Sequence, residues 1–322
     1  CHGSDDVLID VSYSGINYAD VLVRMGVYES AKEYVGWPIT PGFEVSGRVL
    51  QVGNKVEHFQ VGDQVIGFTL FNGYSSRLCL PQNQVIKLPG HFTLEQGSCF
   101  IAAHMTAYYA LYQIFHLPPE SLLLVHSAAG GVGSALVNLA TARGHRVVGV
   151  VGNPVKKEYV SRLGAIDVFA RGDQGFDYQQ IRQKYGNHFD AVFDANGYTT
   201  LRFSYEVLKA TGRLVSYGSH NLLPKEGGKL NYLKAAFGLL KTPRFNPLDL
   251  ITDNKALVGF NLSFLFEYGL LKTDCLNGLM SMVNDKQIPP PKVRVFAVED
   301  VANAHQWLES GESMGKLALC FK

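Results

Sequence analysis

A glycine-rich turn follows an apolar run in the segment LLLVHSAAGGVGSALVNLATARG, residues 122–144. Its A-x-G-x-x-G spacing puts Ala128 at a tight turn, Gly130 where backbone must approach a pyrophosphate, and Gly133 where helix and strand pack closely. A helix N-terminus offers unpaired N–H groups and a positive partial charge to phosphates. The pattern predicts a dinucleotide site, although a glycine-rich turn without a ligand is the alternative. The predicted backbone contacts are Ala129, Gly130, Gly131 and Val132.

The end of the next strand favours one dinucleotide over the other. A site that prefers NAD usually carries an Asp or Glu there, about 20 residues past the glycines, to bind the ribose 2′-hydroxyl. This chain has Gly152 and Asn153, followed by Lys156 and Lys157, with no carboxylate before Glu158. Neutral residues beside cations suit a 2′-phosphate, so the sequence favours NADPH. Ordinary solvated helix surface is the alternative for the two lysines.

Charge and cysteine spacing argue against several other classes of function. Lys plus Arg number 29 and Asp plus Glu 28, so the net charge of +1 supplies no cationic field for nucleic acid. The five cysteines form no C-x-x-C pair that could hold a metal and no dense disulfide pattern. No run of about 20 apolar residues and no signal-peptide pattern is present. We therefore expect a cytoplasmic protein with no membrane span and no nucleic-acid partner.

Two rhythms of apolar residues predict the elements that position these groups. From Val7 to about Pro89, short apolar runs divided by glycines predict a compact antiparallel β region. Because Val7 opens a strand with no earlier strand to pair with, we expect an N-terminal piece to be missing. Beyond Pro89, apolar strands alternate with helical stretches, which predicts a doubly wound parallel sheet. Its predicted strands are 122–126, 147–152, 167–170, 190–195, 213–218 and 256–262.

Several independent motifs cover nearly the whole chain in a fixed order. They are SGINYADVLVRMGVY at 14–28, PGFEVSGRV at 41–49, VGDQV at 61–65, MTAYYAL at 105–111, SAAGGVG at 127–133 and GKLAL at 315–319. These residues resemble the medium-chain dehydrogenase/reductase superfamily, and within it the zinc-free quinone oxidoreductases related to zeta-crystallin. The segment 217–265 looks most like the vesicle amine transport protein branch.

The resemblance implies an α/β fold with a doubly wound parallel Rossmann sheet and a GroES-like β-rich catalytic domain. Residues 1–94 are then the N-terminal part of the catalytic domain, 95–257 the dinucleotide-binding domain, and 258–322 a return segment that completes the catalytic domain. The resemblance also implies a homodimer formed through the cofactor domains.

The metal ligands of the zinc-dependent relatives have no counterpart at the matching positions. Those relatives carry a cysteine in the first loop and a G-H-E motif, whereas this chain has Asn17 and Phe43 there. A structural zinc would need a cysteine cluster, and only Cys79 and Cys99 are near that part of the chain. No metal is therefore expected.

The resemblance also implies roles for individual residues of this chain. Asn17 and Tyr28 match catalytic polar residues at the substrate end of the nicotinamide pocket; a turn residue and a partly buried aromatic are the alternatives. Thr106 matches a threonine near the nicotinamide ribose, although a threonine that caps a helix start is an equally ordinary interpretation. Lys156 matches the lysine that binds the 2′-phosphate. Arg171 replaces a tyrosine that meets the adenosine phosphate.

Three further residues are expected to contact the cofactor, because cofactor sites of this architecture open at the ends of parallel strands. Core packing is the strong alternative for the last of them. They are Tyr217, Gly218 and Phe260.

The resulting functional prediction is NADPH-dependent hydride transfer to a quinone or similar conjugated carbonyl without zinc. An alkenal or enoyl reductase would use the same hydride geometry but would need a proton at carbon. A second alternative is a dinucleotide-binding protein that acts at vesicle or membrane surfaces through residues 229–241, where Leu230, Leu233, Phe237 and Leu240 recur at helical spacing. A helix that covers its own domain or a dimer neighbour produces the same pattern.

Overall fold

The computed structural model describes residues 3–222, 232–265 and 274–322. The chain divides into two compact units. Unit 1 comprises residues 1–106 and 262–322, and unit 2 comprises residues 107–261. The divisions expected from the sequence, after residues 94 and 257, both fall earlier in the chain than these boundaries.

The strands in chain order are β1 (Asp6–Ile16), β2 (Glu44–Val52), β3 (Gln64–Phe68), β4 (Arg77–Pro81), β5 (Val85–Lys87), β6 (Leu122–His126), β7 (Arg146–Val151), β8 (Asp167–Ala170), β9 (Phe189–Asp194), β10 (Leu208–Ser216), β11 (Ala256–Gly259), β12 (Val293–Ala297) and β13 (Lys316–Cys320). The α-helices are α1 (Tyr18–Arg24), α2 (Glu29–Tyr34), α3 (Leu94–Gly97), α4 (Ile101–Tyr108), α5 (Gly131–Ala142), α6 (Lys157–Arg162), α7 (Gln179–Tyr185), α8 (Leu201–Glu206), α9 (Tyr232–Lys241), α10 (Pro247–Asp253), α11 (Leu262–Leu265), α12 (Leu276–Asn284) and α13 (Val301–Glu309).

Unit 1 is built on a sheet with the strand order β12-β13-β1-β2-β3-β5, in which β4 also pairs with β1. The β12–β13 pair is parallel and the other pairs are antiparallel. Val7, Ile9 and Val11 are buried at alternate positions of β1, as expected for a strand with one face on the core. The predicted antiparallel region is therefore present, and the last strand of the chain joins it.

The strand registers of unit 1 bring distant parts of the chain to one end of β1. Ile16 pairs with Leu317 between β1 and β13, and Ser14 pairs with Val45 between β1 and β2. The end of β1 consequently lies beside the first residues of both β2 and β13.

Unit 2 contains a parallel sheet with the strand order β11-β10-β9-β6-β7-β8. Every residue of β6 and of β9 is buried, which is typical of strands covered on both faces. The strands predicted at 122–126 and 167–170 match β6 and β8, whereas the strand predicted at 256–262 ends at Gly259 because α11 begins at Leu262. The predicted fold class is confirmed.

Within the described residues, no helix combines the length and the apolar character that crossing a membrane requires.

Candidate functional site

The glycine turn, residues 127–133, connects β6 to α5 in unit 2. Ser127 has a φ of 53°, and the Gly130 N–H donates to the Ser127 carbonyl oxygen at 2.9 Å. The left-handed residue is thus Ser127, one position before Ala128, which lies in the same turn. Gly130 precedes the helix in an extended conformation, and the N–H groups of the first helical turn have no partner inside the helix. The predicted phosphate contacts all lie here: Ala129, Gly130, Gly131 and Val132.

Glycine is required at one position of this turn by close packing. A Cβ on Gly133 would lie 2.2 Å from the Ser127 carbonyl oxygen and 2.8 Å from the Ala128 Cα. A Cβ on Gly130 would lie 3.3 Å from the Ser127 carbonyl oxygen, a far milder contact. Gly133 therefore allows α5 to pack on the turn, while the space beside Gly130 stays accessible to a ligand.

Arg171 places a positive charge near the ends of β6 and β7. The Arg171 Nη2 atom would lie 3.6 Å from a Cβ built on Gly152. The backbone N–H of Arg171 donates to the Val151 carbonyl oxygen at 3.0 Å. Burial lowers the pKa of His126 and that of His220; the Asp194 carboxylate acts to raise both pKa values, and the Arg171 guanidinium acts to lower them. This guanidinium is therefore close enough to affect the strand end that enters the glycine turn.

The two lysines beyond β7 differ in their environments. Lys156 is only 5% exposed and ends a short 3-10 helix, Pro154–Lys156, which Asn153 caps by accepting the Val155 N–H at 3.1 Å. The Lys157 side chain is 42% exposed and pairs with Asp173 at 3.1 Å. The interpretation as solvated helix surface is therefore wrong for Lys156 and fits Lys157.

Tyr217, Gly218 and Phe260 follow the ends of β10 and β11. The Tyr217 hydroxyl is buried without a hydrogen-bond partner in the described part of the chain, and burial, followed by the Asp194 carboxylate, raises its pKa. A Cβ on Gly218 would lie 2.8 Å from the Ala195 carbonyl oxygen. Phe260 is half-buried and packs on Tyr109 at a centroid distance of 5.0 Å. An orphaned buried hydroxyl is costly unless a ligand or a water molecule satisfies it, so Tyr217 fits a cofactor-lining position.

The sequence-based prediction missed a buried carboxylate that ties β9 to the glycine turn. Asp194 accepts the N–H groups of Asn196 and Gly197 at 2.8 and 3.1 Å and the Ser204 hydroxyl at 2.8 Å. Asn196 Oδ1 in turn accepts the Ser127 hydroxyl at 2.9 Å. An acidic residue at the end of the apolar run DAVFDA was the available signal.

The main polar site of unit 1 centres on Asn17, which lies between β1 and α1. Its backbone N–H donates to Asp20 Oδ2 at 2.7 Å, so its backbone does have the turn role. Its partly exposed side chain has a different function: Nδ2 donates to Glu44 Oε1 at 3.0 Å, and Oδ1 accepts from Lys316 Nζ at 2.6 Å.

Glu44 and Lys316 form a buried ion pair that the sequence-based prediction also missed. Their side chains are 0% and 5% exposed, and Lys316 Nζ lies 2.9 Å from Glu44 Oε1. A Cβ on Gly15 would lie 2.8 Å from the same carboxylate oxygen, so a glycine makes room for it. Both residues stand inside quoted motifs, PGFEVSGRV and GKLAL, and a charged residue in an apolar motif was the available signal.

Asp20 is fully buried in the same cluster. Its carboxylate accepts the Asn17 N–H and, at 2.7 Å, the Gly42 N–H. Burial raises its pKa to about 7, against the lowering effect of these hydrogen bonds and of Lys316. We call Asn17, Asp20, Glu44 and Lys316 the Asn17 cluster.

Tyr28 lies on an aromatic group in unit 1. Its ring contacts Phe43 and Phe71 edge-on, at centroid distances of 5.9 and 6.5 Å. Its hydroxyl is 2.7 Å from the Ser263 hydroxyl, and either group can be the donor. Phe43 and Glu44 are consecutive, so one short segment contacts both Tyr28 and Asn17. The interpretation of Tyr28 as a partly buried aromatic is compatible with a reactive hydroxyl.

Thr106 lies within α4, and its hydroxyl donates to the Ala102 carbonyl oxygen at 2.7 Å. The interpretation of this residue as a cap at a helix start is therefore wrong. Since the hydroxyl proton is used within the helix, the Thr106 oxygen can offer an approaching ligand only its lone pairs.

The structure thus groups the predicted residues in two sets. Asn17, Tyr28 and Thr106 belong to unit 1, and the residues predicted for the dinucleotide belong to unit 2. In the described residues, no group of three or more His, Cys, Asp or Glu side chains could hold a metal ion.

Two family models match the chain. Residues 3–110 match the alcohol dehydrogenase GroES-like domain, and residues 131–264 match the domain described as zinc-binding dehydrogenase. The human synaptic vesicle membrane protein VAT-1 homolog-like is 29% identical over 318 residues, which cover 98% of this chain and 74% of that protein. Its crystal structure superposes with a TM-score of 0.79 at 27% identity, covering 99% of this chain and 90% of that one.

Two further solved structures are similar. A mycobacterial protein complexed with NADPH gives a TM-score of 0.80 at 25% identity, covering 99% of this chain and 92% of that one. The Escherichia coli quinone oxidoreductase complexed with NADPH gives 0.79 at 24% identity over 99% and 92% of the two chains, a likeness of fold.

The chain is therefore an oxidoreductase of the medium-chain dehydrogenase/reductase superfamily. Its relatives include the VAT-1 homologues, at 29% identity over 98% of this chain, in agreement with the branch that the motifs predicted.

Proposed function

We propose that this protein is an NADPH-dependent oxidoreductase that transfers hydride to a quinone or similar conjugated carbonyl without using zinc. Unit 2 holds the dinucleotide, and unit 1 supplies the side chains that meet the acceptor. The observation that carries the proposal is the packing at Gly133, which joins the first turn of a 12-residue helix to the glycine turn.

The residues of unit 2 fit a phosphorylated dinucleotide. The first turn of α5 carries no acidic side chain, so nothing there opposes an anion. Arg171 beside Gly152 and the buried Lys156 supply cations beyond the end of β7, where the sequence has no carboxylate before Glu158. The orphaned Tyr217 hydroxyl offers a further polar contact. The two cations suit a 2′-phosphate and so support NADPH over NADH.

When bound, NADPH supplies the hydride, and the side chains of unit 1 manage charge and protons at the acceptor. Asn17 donates an N–H to the acceptor oxygen as negative charge develops there. The Tyr28 hydroxyl, hydrogen-bonded to Ser263, supplies the proton to that oxygen. Phe43 and Phe71 pack edge-on with the Tyr28 ring and help to hold it in place.

Zinc independence is supported by the contacts of Asn17 and Glu44. The Lys316 ammonium donates a hydrogen bond to Asn17 Oδ1 at 2.6 Å and forms an ion pair with Glu44 at 2.9 Å. A second cation at this place would be repelled, and Cys99 does not offer a thiolate ligand at neutral pH, because burial raises the pKa of its thiol to about 12.

Cofactor choice is tested by titration with NADPH and NADH. Lys156→Ala should weaken NADPH binding by about 1–3 kcal/mol and change NADH binding little, because a charge-assisted hydrogen bond to the 2′-phosphate is lost. Lys157→Ala is the matched control and should change neither affinity, since Lys157 pairs with Asp173. Equal losses for both cofactors in Lys156→Ala would contradict the assignment.

The acceptor is tested by stopped-flow NADPH oxidation with matched quinones and enones. Preferential turnover of quinones supports the proposal, whereas turnover confined to enones or enoyl compounds would identify an alkenal or enoyl reductase.

We also propose a homodimer formed through unit 2. Among the described residues, β11 is an edge strand of the unit 2 sheet and pairs with β10 alone, and an edge strand can pair with a second copy of the chain. Sedimentation velocity measures the mass directly, and a monomer at all concentrations would contradict this proposal.

A second candidate function, attachment to a membrane surface, is favoured by one observation in unit 2. The end of α9 and the following α10 expose apolar side chains: Phe237, Leu239, Leu240, Leu248 and Ile251 are 53–83% exposed. These side chains are exposed and do not cover their own domain, so that interpretation is wrong for residues 237–240 of the segment. Two residues of the predicted stripe, Leu230 and the side chain of Leu233, lie outside the described part of the chain. Liposome sedimentation of the parent and of Leu240→Ser tests the idea. Equal sedimentation of the two, or none, would contradict it.

A further inference from the structure

The partners of Asn17 determine which way its side-chain amide faces. An asparagine side chain has one oxygen that accepts and one nitrogen that donates two hydrogen bonds, and the two ends look alike in shape. Lys316 offers only donors, and the Glu44 carboxylate accepts. Oδ1 therefore faces Lys316, and Nδ2 faces Glu44, at 2.6 and 3.0 Å.

Backbone contacts hold both members of the ion pair beside Asn17. Lys316 Nζ donates to the Ile16 carbonyl oxygen at 2.9 Å and to Asn17 Oδ1, and it lies 2.9 Å from Glu44 Oε1 in the ion pair. Glu44 Oε2 accepts the Ala102 N–H at 3.0 Å. Reversing the amide would put an NH₂ group against the ammonium and a carbonyl against the carboxylate, inside a cluster where water screens little.

Within residues 3–222, 232–265 and 274–322, Glu44 is the one acceptor of Asn17 Nδ2, which leaves the second N–H of this amide for a ligand. Asn17 is a partly exposed residue, whereas Glu44 and Lys316 are buried, so Asn17 is the most exposed member of the trio. The buried Glu44–Lys316 pair thus holds the Asn17 amide in one orientation, with one N–H of Nδ2 left to donate.

We propose that Lys316 and Glu44 are positioning residues that fix Asn17 as a hydrogen-bond donor, never an acceptor, toward the oxygen of the bound acceptor. This inference rests on the proposed reductase function. It assigns a specificity: the acceptor must present an oxygen that accepts a hydrogen bond and gains negative charge, as a quinone or enone carbonyl does.

The experiment is a double-mutant cycle on single-turnover hydride transfer from saturating NADPH to a quinone. Lys316→Met is made in the parent and in an Asn17→Ala background, and Lys87→Met is the control, because Lys87 is an exposed lysine of unit 1 paired with Asp63. We expect Lys316→Met to slow transfer about a hundredfold in the parent, the scale of a lost oxyanion donor, and less than about threefold in the Asn17→Ala background. Lys87→Met should transfer hydride at the parent rate.

Equal slowing in both backgrounds would overturn the proposal, because Lys316 would then act on the fold and not through Asn17. Parent-like transfer in Lys316→Met would overturn it as well. NADPH affinity is measured in parallel to verify that each variant is folded.

A second measurement remains informative even if Lys316→Met does not fold. In ¹⁵N NMR spectra of the parent, the side-chain protons of Asn17 are identified by their absence in Asn17→Ala. We expect one proton to exchange slowly, because Glu44 holds it, and the other to exchange rapidly. Two rapidly exchanging protons would overturn the orientation. A parent that reduces no quinone or enone would defeat the proposed function instead, and the NMR result would still decide the orientation of Asn17.

Discussion

The glycine turn of unit 2 is formed by residues that are consecutive in the chain, whereas the Asn17 cluster of unit 1 takes Glu44 and Lys316 from distant positions. In the turn, the site is formed by backbone groups: a left-handed Ser127, close packing at Gly133 and N–H groups at a helix start. In the cluster, the site is formed by charged and polar side chains, which meet because β2 and β13 both pair with β1. A site formed by consecutive backbone groups can therefore be predicted from local sequence, whereas a site formed by distant side chains depends on strand register.

The largest effect is expected where the backbone packs most closely. Gly133→Val should lower the free energy of unfolding by more than about 3 kcal/mol and abolish measurable NADPH binding, because its Cβ would lie 2.2 Å from the Ser127 carbonyl oxygen. Gly90→Val is the control, since the structure gives a Cβ there no contact within 4 Å among the described residues. Denaturant unfolding and NADPH titration measure both. If Gly133→Val bound NADPH like the parent, the turn would not depend on its backbone as described.

The next effect concerns the charges of the Asn17 cluster. Burial raises the pKa of Asp20 to about 7 from 3.8, so between these values the native state binds more protons than the unfolded chain. This residue therefore makes the free energy of unfolding fall as pH rises through that window, by at most about 1.4 kcal/mol per pH unit. Asp20→Asn should flatten the slope.

The measurement is urea unfolding of the parent and of Asp20→Asn at several pH values between 4 and 8. The slope is the readout, because the substitution also changes hydrogen bonds and will shift all values together. Parallel curves for the two proteins would show that Asp20 does not titrate in this window.

A smaller effect on the rate of quinone reduction is expected from a change at Tyr28. This residue contributes a neutral hydroxyl to unit 1 and is not a member of the Asn17 cluster. Tyr28→Phe should keep NADPH affinity and slow quinone reduction by at most about a hundredfold, since water can replace tyrosine as the proton donor. Ser263→Ala, which removes the hydroxyl partner of Tyr28, should slow it less. Single-turnover rates at saturating NADPH give both values, and a parent-like rate for Tyr28→Phe with every accepted quinone would remove Tyr28 from the reacting site.

The smallest expected effect is none, on treatment with a zinc chelator. The purified protein should hold far less than one zinc per chain and keep its reductase activity, because the Lys316 ammonium already bonds to Asn17 and Glu44. Elemental analysis and activity after chelation measure this. One zinc per chain, with activity lost on its removal and restored on its return, would overturn the zinc-free proposal.

Local patterns predicted much of this molecule because their physical causes are local. Apolar runs between helical stretches predicted the parallel sheet, and the bounds of β6 and β8 were correct. Local patterns did not predict whether a side chain is exposed or buried where that depends on packing against distant residues. Lys156 and Lys157 are adjacent, yet one is buried and the other pairs with Asp173 in solvent. Thr106 lies inside α4 and does not cap its start, because the residues next to Thr106 do not determine where this helix begins.

The sequence by itself determined the fold class, the glycine turn and the branch of the superfamily, because each depends on residue order over short stretches. Only the tertiary structure decided that Asn17 presents an N–H group. That decision requires Lys316, at the far end of the chain, to reach Asn17 through the β1–β13 register, and Glu44 to occupy the space that Gly15 leaves. The physical reason is that a buried charge orients a dipole only at contact distance, and contact between residues 17, 44 and 316 exists only after the sheet has formed.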